Sequence, residues 1–326
     1  MEPSRKAVAF LFALSIACFM AGGGMQSSLA LMTSSRTVDS TFTTATYFDT
    51  VAPTVSSSVI SKTTPYWPGY IRQGGTYYVY ASVTDGGAVP SGVSTVTANV
   101  STVSTGQTAV ALVAGSYSVG GVSYNYRSAS QTANAVLSAG SQSYTIAATD
   151  VAGNGGTTSG FSVTVDNTAP TGTNVQTTNA GTAGRPEIGD TITLTFSEVI
   201  DPESVLSGWT GASTNVVVRI TNNAAGDLVT LRNAANTAQL PLGQVNLVGT
   251  GYVAVNRDFG ATGTPSTMVA AGNTIVITLG TASGAVLTQA GANTMTWVPV
   301  ATATDRAGNA CSATTATEAT PLDLDF

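Results

Sequence analysis

The side chains of this chain that could do chemistry are few, and most are acidic. Asp150 and Asn154 bracket Asp150-Val-Ala-Gly-Asn154, and Asp166 and Asn167 open Asp166-Asn-Thr-Ala-Pro-Thr171. Both motifs recur, as Asp305-Arg-Ala-Gly-Asn309 and Asp49-Thr-Val-Ala-Pro-Thr54. Oxygen-rich sets of this kind suit calcium, which takes six to eight carboxylate and carbonyl oxygens. Calcium is therefore one expectation for Asp150, Asn154, Asp166 and Asn167, with Asp49 and Asp305 as echoes. The other expectation needs no ion. Asp and Asn side chains bond the backbone two residues on, and Gly153 and Gly308 supply positive φ, so the motif is also turn chemistry.

Catalysis finds little to work with. There is no histidine, which removes the commonest general base and the usual zinc ligand. Lys62 is the only lysine after residue 30, and no Gly-x-Ser-x-Gly elbow occurs. Glu198, Asp201 and Glu203 crowd into one short stretch, whereas the two carboxylates of a glycosidase flank the bond to be cut. They read as a solvated turn after a strand. The expectation is a protein that is not an enzyme and carries no cofactor other than calcium.

Two further groups have a bland and a sharp reading. Tyr66, Trp67 and Tyr70, with Pro65 and Pro68, sit in one connection; they form either a contact surface or a lid over the end of a domain. Of the two cysteines, Cys18 lies in the first apolar run, so removal of that run leaves Cys311 alone. Cys311 then reads as a small buried residue or as one half of an intermolecular bridge.

The elements that must position these residues are strands. At 326 residues the chain suggests about two domains. Hydrophobic residues make up 43% and charged residues only 9%, so the chain can bury a core. Tyr77, Val79, Ala81 and Val83 alternate with Tyr78, Tyr80, Ser82 and Thr84, the period of a half-buried strand. Similar runs at 55–60, 93–103, 109–113, 117–126, 144–149 and 161–165 give about seven strands with Gly-rich turns. Runs at 192–196, 216–220, 228–231, 252–255, 275–279 and 297–303 repeat the pattern, with 312–317 as a last strand. Two longer connections, at 233–246 and 259–271, account for the greater length of this second unit. The expected class is all-β, with two tandem antiparallel sandwiches.

Residues 1–30 have a basic start at Arg5 and Lys6, an apolar run over 7–21 and small residues at Ser28 and Ala30. That is the form of a secretory signal peptide cut after Ala30. The apolar run falls short of the ~20 residues of a spanning helix, so contact with a membrane is expected only before cleavage. The remaining chain has 16 acidic and 9 basic residues, a net charge of −7, which disfavours nucleic acid. The expected layout is a signal peptide at 1–30, an extended segment at 31–50, sandwiches at 51–165 and 166–317, and an acidic tail at 318–326.

The pairing of Asp-x-x-Ala-Pro-Thr with Asp-x-Ala-Gly-Asn resembles the bacterial immunoglobulin-like domains of surface proteins. The string Phe196-Ser-Glu-Val-Ile-Asp-Pro-Glu-Ser204 is similar to a second-strand motif of another such group, found in S-layer and surface proteins. Residues 20–48, with Gly22-Gly-Gly-Met-Gln-Ser-Ser-Leu-Ala30 and Ser40-Thr-Phe-Thr-Thr-Ala-Thr46, resemble the N-termini of camelysin/TasA-type proteins released by a SipW-type signal peptidase. The first resemblance implies an extracellular, cell-surface structural or adhesive protein of immunoglobulin-like sandwiches. The second implies a biofilm-matrix fibre subunit, joined by strand exchange through its N-terminal segment. A glycan-binding accessory module using Tyr66, Trp67 and Tyr70 is a further alternative. The expected partners are other surface proteins, the chain itself or extracellular polysaccharide.

Overall fold

The computed structural model describes residues 48–63, 67–320 and 324–326. The signal peptide, its expected cut after Ala30, the segment up to residue 47 and Tyr66 lie outside the described residues. The described chain is almost wholly strand and turn, in two separate, largely antiparallel sheets that follow one another in sequence. Among the described residues no helix is long and apolar enough to cross a membrane.

The first sheet runs from β1 (Thr54–Lys62) to β9 (Gly155–Val165). Between them come β2 (Tyr70–Ile71), β3 (Thr76–Thr84), β4 (Val93–Asn99), β5 (Val110–Val119), β6 (Val122–Ser128), β7 (Gln131–Thr132) and β8 (Gly140–Asp150). Their order is β1-β3-β6-β5-β4-β8-β9-β2, with β7 beside β3. The sheet doubles over at β5, which pairs with β4 through Val110 and Ala111 and with β6 from Leu112 onward. Two layers result, and the alternating apolar residues fill the space between them. Tyr77, Val79, Ala81 and Val83 of β3 are buried together with Tyr144 and Ile146 of β8 and Val163 and Val165 of β9. The hydroxyl of Tyr144 lies 3.1 Å from that of Ser58 on β1, joining the layers.

The period-2 reading is accurate in β3, overruns β4, which ends at Asn99, and falls short of the full lengths of β8 and β9. The expected strand over 117–126 is a hairpin that turns at Gly120 and Gly121, both with positive φ. Tyr80 lies on the face of β3 opposite Val79 and Ala81, away from the main core. It is nonetheless buried, because Tyr78, Tyr117, Val119 and Tyr124 close over it. Arg127 completes this cover, with its guanidinium 4.6 Å from the Tyr78 ring centre and 4.5 Å from the Tyr117 ring centre.

The second sheet comprises β10 (Gly172–Thr178), β11 (Thr191–Phe196), β12 (Thr214–Thr221), β13 (Leu228–Asn233), β14 (Gln244–Asn246), β15 (Arg257–Phe259), β16 (Ser266–Ala271), β17 (Thr274–Thr278), β18 (Thr296–Val298) and β19 (Ala316–Thr317). Its order is β10-β11-β17-β16-β12-β13-β14-β18-β19, with β15 beside β12. The sheet curls until its two ends meet across the core. Trp297 of β18 packs edge-on against Phe196 of β11, with ring centres 4.8 Å apart, and its indole N–H donates to the Leu242 carbonyl. Gly172 of β10 lies beneath that indole, where an added Cβ would come within 2.8 Å of the ring.

Several details of this unit differ from the sequence reading, among them the runs expected at 297–303 and 312–317, which are strand only at Thr296–Val298 and Ala316–Thr317. The two long connections contain strands of their own, β14 in one and β16 in the other. Tyr252 and Val253, expected in a strand, are buried loop residues, because the Asp227 carboxylate accepts both of their backbone N–H groups in place of a neighbouring strand. The described residues at the end of the acidic tail are held against the sandwich. The Tyr252 hydroxyl donates to Asp325 at 2.9 Å, and the Phe326 ring stands edge-on to the Tyr252 ring.

Candidate functional site

The repeated Asp motifs form two corners with matching geometry. In the first sandwich the Asn154 side-chain amide donates to the Asp49 carbonyl at 3.1 Å and to the Asp150 carboxylate at 2.7 Å. In the second, Asn309 donates to the Asp166 carbonyl and to the Asp305 carboxylate, both at 2.8 Å. The backbone N–H of Asn154 donates to Asp150, and that of Asn309 donates to Asp305. Gly153 and Gly308 have φ of 95° and 93°, the left-handed region that lets each turn close without strain from a Cβ. Each corner thus ties the first residues of its sandwich to its last turn.

Each corner also gathers three carboxylates. Asp49, Asp85 and Asp150 bring oxygens within 4.8 Å of one another, and so do Asp166, Glu198 and Asp305. The four residues expected to hold calcium therefore do not form one site. Asp150 and Asn154 belong to the first corner and Asp166 to the second. Asn167 is in neither set of carboxylates: its side chain accepts from the Gln73 N–H and donates to the Leu137 carbonyl. Asp85 and Glu198, the third acid of each corner, follow β3 and β11 respectively. They share no spelling that would pair them in sequence.

The electrostatics of the two corners differ with their cover. Asp49 is held below the usual carboxylate range by hydrogen bonds from Ser91 and Val51. Glu198 is pushed up to about 7 by burial and by the negative charges of Asp166 and Asp305. Burial likewise raises Asp305, and burial together with the Glu198 charge raises the Cys311 thiol to about 11. An unreactive buried thiol is the result.

The second corner is covered because the first sandwich stands on it. Lys62, at the end of β1, places its ammonium 2.6 Å from the Asp201 carboxylate and donates to the Asp305 carbonyl at 3.0 Å. Lys62 is 8% exposed and Asp201 is 0% exposed. Asp201 also caps the short helix α1 (Pro202–Val205) by accepting the Glu203 N–H. The expectation of a solvated turn at Glu198, Asp201 and Glu203 is thereby corrected for Asp201, which lies buried against Lys62 of the first sandwich. Arg306 extends its guanidinium to 4.2 Å from the Tyr70 ring centre and 5.9 Å from that of Trp67. Trp67 and Tyr70 are therefore half-buried in the joint between the sandwiches rather than on an open contact face. A cleft of about 210 Å³ remains there, lined by Trp67, Ile200, Pro202 and Arg306 among others.

The linker between the sandwiches is fixed on both sides. Asp166 donates its N–H to the Ile71 carbonyl, Asn309 holds the Asp166 carbonyl, and Ser312 donates to the Pro170 carbonyl. Chemically, a close set of carboxylates at such a joint suits a hard divalent cation, while the observed hydrogen bonds already satisfy the turn.

No protein-family model matches the chain, and no curated protein matches it. Among solved structures, the Escherichia coli adhesin FdeC is 14% identical with a TM-score of 0.22. The match covers 84% of this chain and 66% of that one, so the chain spans just under two thirds of the adhesin's solved length.

Proposed function

We propose that this is a non-catalytic, extracellular structural or adhesive module in which two immunoglobulin-like sandwiches are fixed end to end as one stiff unit. The Lys62 ammonium carries this reading, since it leaves its own sandwich and is buried against Asp201 and Asp305 of the next. A buried charge with one partner holds a specific geometry, because any other arrangement leaves a charge unpaired. Tyr70 and Trp67 around Arg306 add a second contact on the same end. The two carboxylate corners are calcium sites on this reading, and the ion would neutralise the charge that Glu198, Asp166 and Asp305 concentrate beside the linker.

Calorimetry and titration test both parts. Calcium is expected to bind and raise Tm, and a chelator to lower it. Substituting Asp305→Asn is expected to remove the response of the second corner. A melting temperature indifferent to both calcium and chelator removes the ion from the proposal and leaves the corners as turns. Domain motion unchanged in Lys62→Met, measured by small-angle scattering, removes the stiff joint.

A further inference from the structure

The Lys62 and Asp201 pair that crosses the joint is built unlike an ordinary ion pair. Lys62 Nζ lies 2.6 Å from Asp201 Oδ2, yet Oδ2 is buried and accepts no hydrogen bond from any described residue. At that distance only a misdirected approach fails to make one. The amine is pressed against the carboxyl group without the direction of a hydrogen bond. Asp201 Cγ is one bond beyond Oδ2, so it lies within about 4 Å of Nζ.

The neighbours hold both groups for a reaction between them. Asp201 Oδ1 accepts the Glu203 N–H at 3.0 Å, a donor placed to stabilise charge on that oxygen. The Ser204 hydroxyl donates to the Asp201 carbonyl at 2.7 Å and fixes the backbone there. Lys62 Nζ also donates to the Asp305 carbonyl at 3.0 Å, which anchors the amine beside Asp201. Both side chains are buried, and the attraction of two charges taken out of water offsets their desolvation only in part. Condensation removes both charges at once. Holding the groups in contact also makes a bimolecular step effectively unimolecular.

We propose that Lys62 and Asp201 condense to an amide that joins the two sandwiches covalently. The Nζ–Cγ bond forms and the Cγ–Oδ2 bond breaks. Two protons pass from the ammonium to Oδ2, which leaves as water, and Oδ1 remains as the amide oxygen on the Glu203 N–H. The ion pair is the reactant, and no oxidant, reductant or co-reactant is consumed. The amide deepens the proposed function and rests on the joint described there. Load applied between the two ends of the chain then passes from β1 to Asp201 and bypasses residues 63–200.

Intact-mass spectrometry of the purified, denatured chain tests it. The chain is expected to weigh one water less than its sequence from the observed N-terminus. A proteolytic digest is expected to give a branched peptide joining Lys62 to Asp201. Lys62→Arg keeps the charge but replaces the amine by a guanidinium that stays protonated, and Asp201→Ala removes the acyl group. Both are expected to show the full mass. A full mass in the unmodified chain overturns the proposal, whatever the variants do. So does a water loss that persists in both variants, which assigns it to another site such as a succinimide at Asp85-Gly86. Lys62→Met removes ion pair and amide alike, so its scattering tests the joint while the mass of the unmodified chain tests the bond. A full mass together with altered scattering in Lys62→Met overturns the amide and leaves the stiff joint standing.

Discussion

At the scale of single residues, the charge on Lys62 matters more than its packing. Lys62→Met leaves Asp201 buried without its cation, and breaking a buried pair in this way costs about 3–5 kcal/mol. The double change Lys62→Met with Asp201→Asn is expected to recover part of that loss, read as the midpoint of chemical unfolding. Glu198 gives a second test, in pH. Its folded value of about 7 lies above the ordinary glutamate value of 4.5, so the folded state holds the proton more tightly than the unfolded one. The group's contribution is fully present below the unfolded value and is lost as pH rises through the folded one. In chelator, stability is therefore expected to fall between about pH 4.5 and 7, with Glu198→Gln flattening the slope and stabilising the protein at higher pH. A slope identical in the two proteins would show that Glu198 has no part in it.

At the scale of elements, the corners depend on a backbone shape that only glycine adopts at low cost. Gly153→Ala and Gly308→Ala place a Cβ in the left-handed region and are each expected to cost about 1–2 kcal/mol. Equal losses at both positions would support the equivalence of the corners, and an effect at one alone would argue against it. This pairing was legible in sequence because it rests on short motifs with Asp, Gly and Asn at fixed offsets. The contacts those motifs make were not. Asn154 reaches back 105 residues to Asp49, and Asn309 reaches back 143 residues to Asp166. Nothing local says that Asp166 faces forward to Asp305 rather than back to Asp150. Asp85 and Glu198 lie in loops with no recurring spelling, and the Lys62 contact with Asp201 depends on how two folded units meet. Alternation found β3 and β11 for a related reason: their pattern is a local consequence of having one face in the core. It failed for Tyr252, whose backbone is held by the distant Asp227 carboxylate.

For the whole molecule, the question is whether two cores behave as one. Each sandwich has its own buried cluster, which includes Tyr77 and Val79 in the first and Phe196 and Trp297 in the second. On that ground alone they should melt separately. The joint opposes this, because unfolding either sandwich would expose the Lys62 and Asp201 pair and release the linker bonds at Asp166. The unmodified chain is therefore expected to show one calorimetric transition. Lys62→Met combined with Arg306→Ala removes the side-chain contacts of Lys62 and Arg306 across the joint while leaving the two cores intact, and should resolve it into two. The difference in Tm between those two peaks would then measure how far the joint had held the weaker sandwich above its own stability. Two peaks already present in the unmodified chain would mean that the sandwiches meet without coupling, and would deny the joint its mechanical role.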